Sequence, residues 1–86
     1  MIQRISVPVS VVFQYDHKTQ KALPRVVQWE GQRYLITKIG FHHTFIRGRT
    51  LFHVFSVESP NLSFKLEFNT ETLQWRLEEI SDGLPS

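Results

Sequence analysis

Four turn signals divide most of the chain into short segments in which apolar and polar residues alternate. The signals are Gly31-Gln32, Arg47-Gly48, residues 58–61 and residues 69–72. Alternation with a period of two is typical of β-strands that are buried on one face, and such closely spaced turns are typical of hairpins. Because parallel strands need a long crossover connection, short turns restrict neighbouring strands to antiparallel pairing. The sequence therefore predicts an all-β fold built as a single antiparallel meander.

The positions of the turns also predict which side chains face each other. Counted outward from the four turns, the opposed pairs include Trp29 and Tyr34, His42 and His53, Phe55 and Phe64, and Leu66 and Trp75. All four registers place the large apolar residues on one face of the sheet, which is the predicted core. That core comprises Val27, Trp29, Tyr34, Ile36, Gly40, His42, Leu51, His53, Phe55, Val57, Leu62, Phe64, Leu66, Phe68, Leu73, Trp75 and Leu77.

A single sheet can bury such a face only if it curls onto itself. We therefore expect about six strands curled into a small half-open barrel or a strongly twisted sheet, with Gly40 at a bend. The chain should form one domain over residues 1–86, because it is too short for two cores. The predicted parts are a first strand over residues 1–15, a loop over residues 16–24, the meander over residues 25–80 and a frayed tail over residues 81–86. Within the first strand, Pro8 predicts a sheet edge or a bulge.

The composition excludes several classes of protein. The chain has no cysteine, so it has neither disulfides nor a thiolate nucleophile. No run of about 18 apolar residues is present to cross a bilayer, and the first residues lack the apolar core of a signal peptide. The glycines are isolated, so no phosphate-cradling loop is formed. We therefore expect a cytoplasmic protein with no membrane partner, no cofactor and no catalytic residues.

Two histidines form the most distinctive chemical feature of the sequence. The predicted register brings His42 and His53 together across two strands, whereas His43 points to the other face. Two ligands are too few for a zinc site, and the predicted neighbours of the pair include no carboxylate. We therefore favour a hydrogen-bonded histidine pair that can titrate near neutral pH over metal binding or catalysis.

The face opposite the core is unusually apolar in the third and fourth predicted strands. We call these residues the apolar strip; they are Leu35, Ile39, Phe41, His43, Phe45, Phe52 and Val54. Three interpretations are open. The first strand or a misplaced bulge could account for the strip, a second copy of the chain could pack on it, or its rings could stack on nucleobases.

Charge is divided unequally between the two halves of the chain. Residues 1–49 hold eight basic and two acidic side chains, and residues 50–86 hold two basic and six acidic ones. Lys38, Arg47 and Arg49 lie beside the aromatic residues of the strip and are candidate phosphate contacts. Because the formal net charge is only +2, attraction between the two halves explains the asymmetry more simply than a nucleic-acid partner does.

One stretch of the sequence can be compared with a known family. The pattern Trp-x-Gly-x-x-Tyr-x-Ile over residues 29–36, preceded by Pro24, is followed by a closing Leu-x-Trp-x-Leu at Leu73, Trp75 and Leu77. This arrangement resembles a small uncharacterised bacterial all-β domain that occurs alone or attached to polymerase-like DNA-repair proteins. The resemblance covers about residues 24–80 and implies a connection with nucleic acid or a repair complex, but it assigns no functional residues.

These observations favour a non-enzymatic module for protein interaction or self-association. The simplest form is a homodimer in which the third and fourth strands of two chains pack through the apolar strip. The alternative is a nucleic-acid-binding module that uses a basic aromatic sheet surface.

Overall fold

The computed structural model describes residues 1–82, and it contains seven β-strands and no helix in that range. The strands are β1 (Ile2–Asp16), β2 (Lys21–Trp29), β3 (Gln32–Leu35), β4 (Lys38–Arg47), β5 (Thr50–Glu58), β6 (Ser63–Asn69) and β7 (Trp75–Ser81). All of them pair in the antiparallel sense within one sheet. The all-β prediction is confirmed, with one strand more than expected.

The sheet is a meander that is open at one point. Its strand order is β3-β2-β1-β7-β6-β5-β4. Strands that follow each other in the chain pair with each other, except β3 and β4, which lie at the two edges. The first and last strands, β1 and β7, also pair. Ile36 and Thr37 connect these edges: the Ile36 N–H donates to the Arg25 carbonyl at 2.9 Å, and the Thr37 N–H donates to the Glu58 carbonyl at 2.8 Å. Because two residues must reach from one edge to the other, the sheet has to curl. This confirms the predicted curled, half-open arrangement.

The long strand β1 joins the two parts of the curled sheet. Its first half, from Ile2 to Val9, pairs with β7, and its second half, from Ser10 to Asp16, pairs with β2. Pro8 therefore lies in a segment whose other side has no ladder, where its missing N–H costs no strand pairing. A register shift follows Arg4 in the ladder with β7, as expected from a proline near a bulge.

The loop predicted over residues 16–24 is shorter than expected, because only residues 17–20 form a turn. A tight turn after Asp16 leads directly into β2, which begins at Lys21. The Asp16 carboxylate accepts the Lys18 N–H at 2.9 Å, and the Gln20 N–H donates to the Asp16 carbonyl at 2.8 Å. Pro24 lies within β2 opposite Phe13, next to Arg25, the unpaired residue of a bulge in β2, and such a bulge is where a strand tolerates proline.

Next to the turns, the predicted hairpin registers are wrong by two residues and the predicted faces are right, whereas beyond the bulge at Gly40 the predicted face of Ile39 is wrong. The observed pairs are Val27 with Tyr34, His42 with Phe55, Val57 with Phe64, and Leu66 with Leu77. The first turn is Glu30-Gly31, where both residues have positive φ (51° and 75°), and the second turn begins at Gly48 with φ 65°. Because the side chains of a strand alternate with a period of two, a two-residue shift changes the partners and keeps the face.

The core follows the predicted face. Its buried cluster comprises Val27, Ile36, Phe55, Val57, Phe64, Leu66, Trp75 and Leu77, and the partly buried Trp29, Tyr34, Leu62 and Phe68 pack against it. Leu51, Leu73 and His42 were expected in the core and are exposed, Leu73 because it lies outside β7 with φ 64° and His42 because β4 is an edge strand. Gly40 is also exposed, and it lies at a register shift between Ile39 and Phe41. That bulge confirms the bend expected there and turns Ile39 toward the core.

The frayed tail predicted over residues 81–86 begins too early. Ser81 is the last residue of β7, and the Asp82 carboxylate accepts a hydrogen bond from the amino group of Met1 at 3.0 Å. The prediction for residues 83–86 lies outside the described residues.

Two tryptophans provide a matched test of where the core lies. Trp75 is 7% exposed, and its ring lies 4.6 Å from that of Phe68 and 5.2 Å from that of Phe13, whereas Trp29 is half-buried at the end of β2. We expect Trp75→Ala to lower the free energy of unfolding by about 3–5 kcal/mol and Trp29→Ala by about 1–2 kcal/mol. Urea unfolding followed by circular dichroism measures both values. Equal losses would contradict the placement of the core.

Candidate functional site: an open edge and an apolar cleft

The open point of the meander leaves strand edges unpaired. β3 pairs with the second half of β2, from Val26 to Trp29, and leaves the first half without a ladder on that side. β4 pairs with β5 along one side, and within residues 1–82 its other side faces no strand. We call this side of β4 the open edge.

Hairpin geometry identifies the backbone groups that point to the open edge. Arg47 and Thr50 flank a two-residue turn, and the residues in that position exchange both hydrogen bonds. Hydrogen-bonded pairs then alternate along an antiparallel ladder, so Phe45 and His43 also bond to β5. The N–H and C=O groups of the residues between and beside them point outward; these residues are His42, Thr44 and Ile46.

An apolar cleft of about 710 Å³ lies beside the open edge. It is bounded on one side by the β1–β2 hairpin with Phe13 and Leu23, and on the other by Ile39 and the two histidines of β4 and β5. Phe55 and Phe68 also line it, and the Phe13 ring lies 5.5 Å from the Phe68 ring. The cleft exists because no strand separates β2 from β4 at this end of the sheet.

The predicted histidine pair lines this cleft. The His42 Nε2 and His53 Nδ1 atoms are 2.7 Å apart, which confirms that the two side chains meet. The register differs from the prediction: His42 lies opposite Phe55 and His53 opposite Thr44, so the histidines are diagonal neighbours. The His42 ring also stacks on the Phe55 ring, with 4.3 Å between centroids and 2° between planes.

Burial and neighbouring charge shift the protonation equilibrium of His42. The pKa of His42 is lowered from its ordinary value, first by burial, then by His53 and then by His43. A lowered pKa favours the neutral imidazole at neutral pH. Residues 1–82 contain no group of three or more His, Asp or Glu side chains placed to hold a metal ion.

The apolar strip does not form one surface. Ile39 packs against the core, and Leu35 lies on β3, at the opposite edge of the sheet from β4. Phe52 and Val54 are on the expected face and are buried there, at 8% and 3% exposure. Phe41 remains 61% exposed, and its ring lies 5.2 Å from that of His43.

Arg47 covers the buried part of the strip. Its guanidinium lies 5.1 Å from the Phe45 ring centre and 5.0 Å from the Phe52 ring centre, and those two rings stack at 6°. Its Nη1 atom is also 4.0 Å from the Glu67 carboxylate. A cation over aromatic faces is attracted by their quadrupoles. The strip is therefore covered by a side chain of its own face, which none of the three interpretations anticipated.

The three candidate phosphate contacts are dispersed. Lys38 and Arg47 occupy the two ends of a ten-residue strand, which spans about 30 Å. Arg49 lies in the turn that follows, and Arg47 is held by its contacts with Phe45, Phe52 and Glu67. These positions give less support to a single phosphate-binding surface than the sequence suggested.

Five residues of the cleft were not identified from the sequence, four of them because residues 16–24 were interpreted as a loop. The side of the cleft that belongs to the β1–β2 hairpin is formed by Phe13, Gln20, Lys21, Ala22 and Leu23. Asp16, followed by a short polar segment between two apolar ones, was the available signal, since aspartate commonly starts such turns.

Comparison with known proteins gives no relative. No family model, no curated protein and no solved structure matches this chain. The resemblance to the small bacterial β domain therefore stays a prediction. In the described part of the chain, no helix is long and apolar enough to span a membrane.

The lowered pKa of His42 predicts a pH-dependent stability. Its ordinary value is 6.5, so near and below that pH the unfolded chain binds more protons than the folded chain. The stabilisation is fully present above the unfolded-state pKa and is lost as the pH falls through the lower, folded-state pKa. We expect the free energy of unfolding to decrease on acidification, and His42→Phe, which can keep the stack on Phe55, to reduce that slope.

Urea unfolding over a pH series around neutrality measures this slope. His17→Gln removes a histidine from the β1–β2 turn and controls for the loss of any imidazole. An unchanged slope in His42→Phe would contradict the assignment.

Proposed function

We propose that this protein is a non-enzymatic interaction module that self-associates by pairing the open edge of β4 with the same edge of a second copy. The observation that carries this proposal is the unprotected character of β4. It is ten residues long, and between Lys38 and Arg47 it contains no proline and no Asp, Glu, Lys or Arg. Monomeric sheets usually protect an edge by shortening it or by placing charges or proline on it.

The other edge of the sheet supports this interpretation by contrast. β3 is only four residues long and carries Arg33. A short edge strand with a charge is a common protection against pairing with another chain. The two edges of the sheet thus differ in protection: β3 is short and charged, whereas β4 is long enough to pair with a further strand.

The outward backbone groups allow one favourable register for a two-fold pair. Thr44 would lie opposite Thr44 of the second copy, and His42 opposite Ile46. This arrangement uses the groups that point to the open edge and leaves the bulge at Gly40 outside the new ladder. Threonine pairs across strands are favourable, so the centre of the pair is compatible with self-association.

Side chains on the outer face are also compatible in this register. Phe41 would face Arg47 of the second copy, and His43 would face Phe45. Cationic and aromatic groups then meet, and no two like charges are directly opposed. A register in which Lys38 opposed Arg47 would place cations together and would mismatch the outward backbone groups. This edge pairing replaces the face-to-face packing expected from the sequence, because Arg47 already covers Phe52.

Substitution at Thr44 tests the proposal. Light scattering at micromolar concentration should give about 20 kDa for the wild-type protein, twice the chain mass of 10.2 kDa. Thr44→Pro removes an outward N–H and spares the β4–β5 ladder, so it should give a monomer with an unchanged sheet signal in circular dichroism. Thr44→Lys would oppose two charges at the axis and should also give a monomer.

Thr44→Val is the matched control, because it keeps the backbone N–H and the branched shape. It should remain dimeric. A wild-type monomer at these concentrations, or a Thr44→Pro variant that stays dimeric, would contradict the proposal. A monomer that binds single-stranded DNA or RNA with a steep salt dependence would favour the nucleic-acid alternative in its place.

A further inference from the structure

We infer that the cleft beside the histidine pair is a binding site for a small apolar carboxylate, that is, a compact hydrophobic molecule with one carboxylate group. The site differs from the open edge proposed for self-association. It is formed by side chains of a single chain, whereas the open edge consists of outward backbone groups. The inference therefore does not rest on the dimer. In the register proposed for the dimer, Ile46 of the second copy would lie beside His42 and narrow the cleft, so the binding experiments use the monomeric Thr44→Pro variant.

The size and lining of the cleft fit an apolar molecule. Its volume of about 710 Å³ lies within the range of sites that enclose small organic ligands. Phe13 keeps 39% of its surface exposed although it packs against Phe68 and Trp75. An aromatic ring left partly in water within a concave apolar surface gains free energy when an apolar ligand covers it.

The charge of the side chains that line the cleft indicates the charge of the ligand that it can bind. Its polar side chains are Gln20, Lys21, His42 and His53, and none of the residues that line it is acidic. Asp16 lies opposite Lys21 in the β1–β2 ladder, but within residues 1–82 no carboxylate is within 4.0 Å of the Lys21 ammonium. The charge available to a ligand is therefore positive, which favours an anionic group over a cationic one.

The histidine pair supplies a directional donor. One imidazole must donate its N–H to the other across the 2.7 Å contact between His42 Nε2 and His53 Nδ1. In either tautomer, one of the two remaining ring nitrogens, His42 Nδ1 or His53 Nε2, carries a proton. No other hydrogen bond of these rings is formed within the part of the chain that the structure describes. A carboxylate can accept this N–H while its charge is balanced by Lys21.

A comparison of decanoate with decanol separates the contribution of apolar contact from that of the carboxylate charge, because the two molecules share a hydrocarbon chain and differ in charge. Calorimetric titration of Thr44→Pro, the background for every variant in this test, should show saturable binding of one decanoate per chain, and decanol should bind about tenfold more weakly. In NMR spectra, the ring protons of His42 and His53 should shift with decanoate. Absence of saturable binding below the concentration at which decanoate forms micelles would overturn the inference.

Two lysine variants test which positive charge contributes to decanoate binding. Lys21→Gln should weaken decanoate binding about tenfold and leave decanol binding unchanged. Lys18→Gln removes the same charge from the neighbouring turn, outside the cleft lining, and should leave decanoate binding unchanged. Equal losses in the two variants, or equal affinity of Thr44→Pro for decanoate and decanol, would show that the cleft does not select a carboxylate.

Discussion

The two-residue connection between β3 and β4 is the constraint on which the rest of this structure depends. Ile36 and Thr37 are hydrogen-bonded to β2 and β5, so they tie the two edges of a seven-stranded sheet together at one point. A sheet held in this way must curl, and curling allows one apolar face to be buried without a second sheet or a helix. The core cluster around Phe55, Leu66 and Leu77 is the direct result.

The same connection explains why the barrel is incomplete. β3 ends after four residues, so it covers only the second half of β2. Beyond Thr37, β4 continues for ten residues without a partner on its outer side in residues 1–82. The open edge and the apolar cleft thus arise from one cause. The edge offers backbone groups to another strand, and the cleft offers aromatic rings, a histidine pair and Lys21 to a small molecule.

Side chains on the outer face show how the protein restricts exposed apolar surface. Arg47 lies over the Phe45 and Phe52 rings and contacts Glu67, and Val54 is buried nearby. Phe52 and Val54 are therefore not available on the outer face, where the sequence suggested an association surface. Phe41 stays exposed on this face, next to the open edge of β4.

The sequence by itself determined the all-β class, the antiparallel meander, the face that is buried and the meeting of His42 with His53, because these depend on alternation and turn spacing, which are local. It did not determine the registers, because a turn shifted by two residues preserves every face. It also could not show that Arg47 covers Phe52. Only the tertiary structure decided that β3 and β4 stay apart, since the width of that gap depends on how far the whole sheet curls, a property of all the strands together and of no single segment.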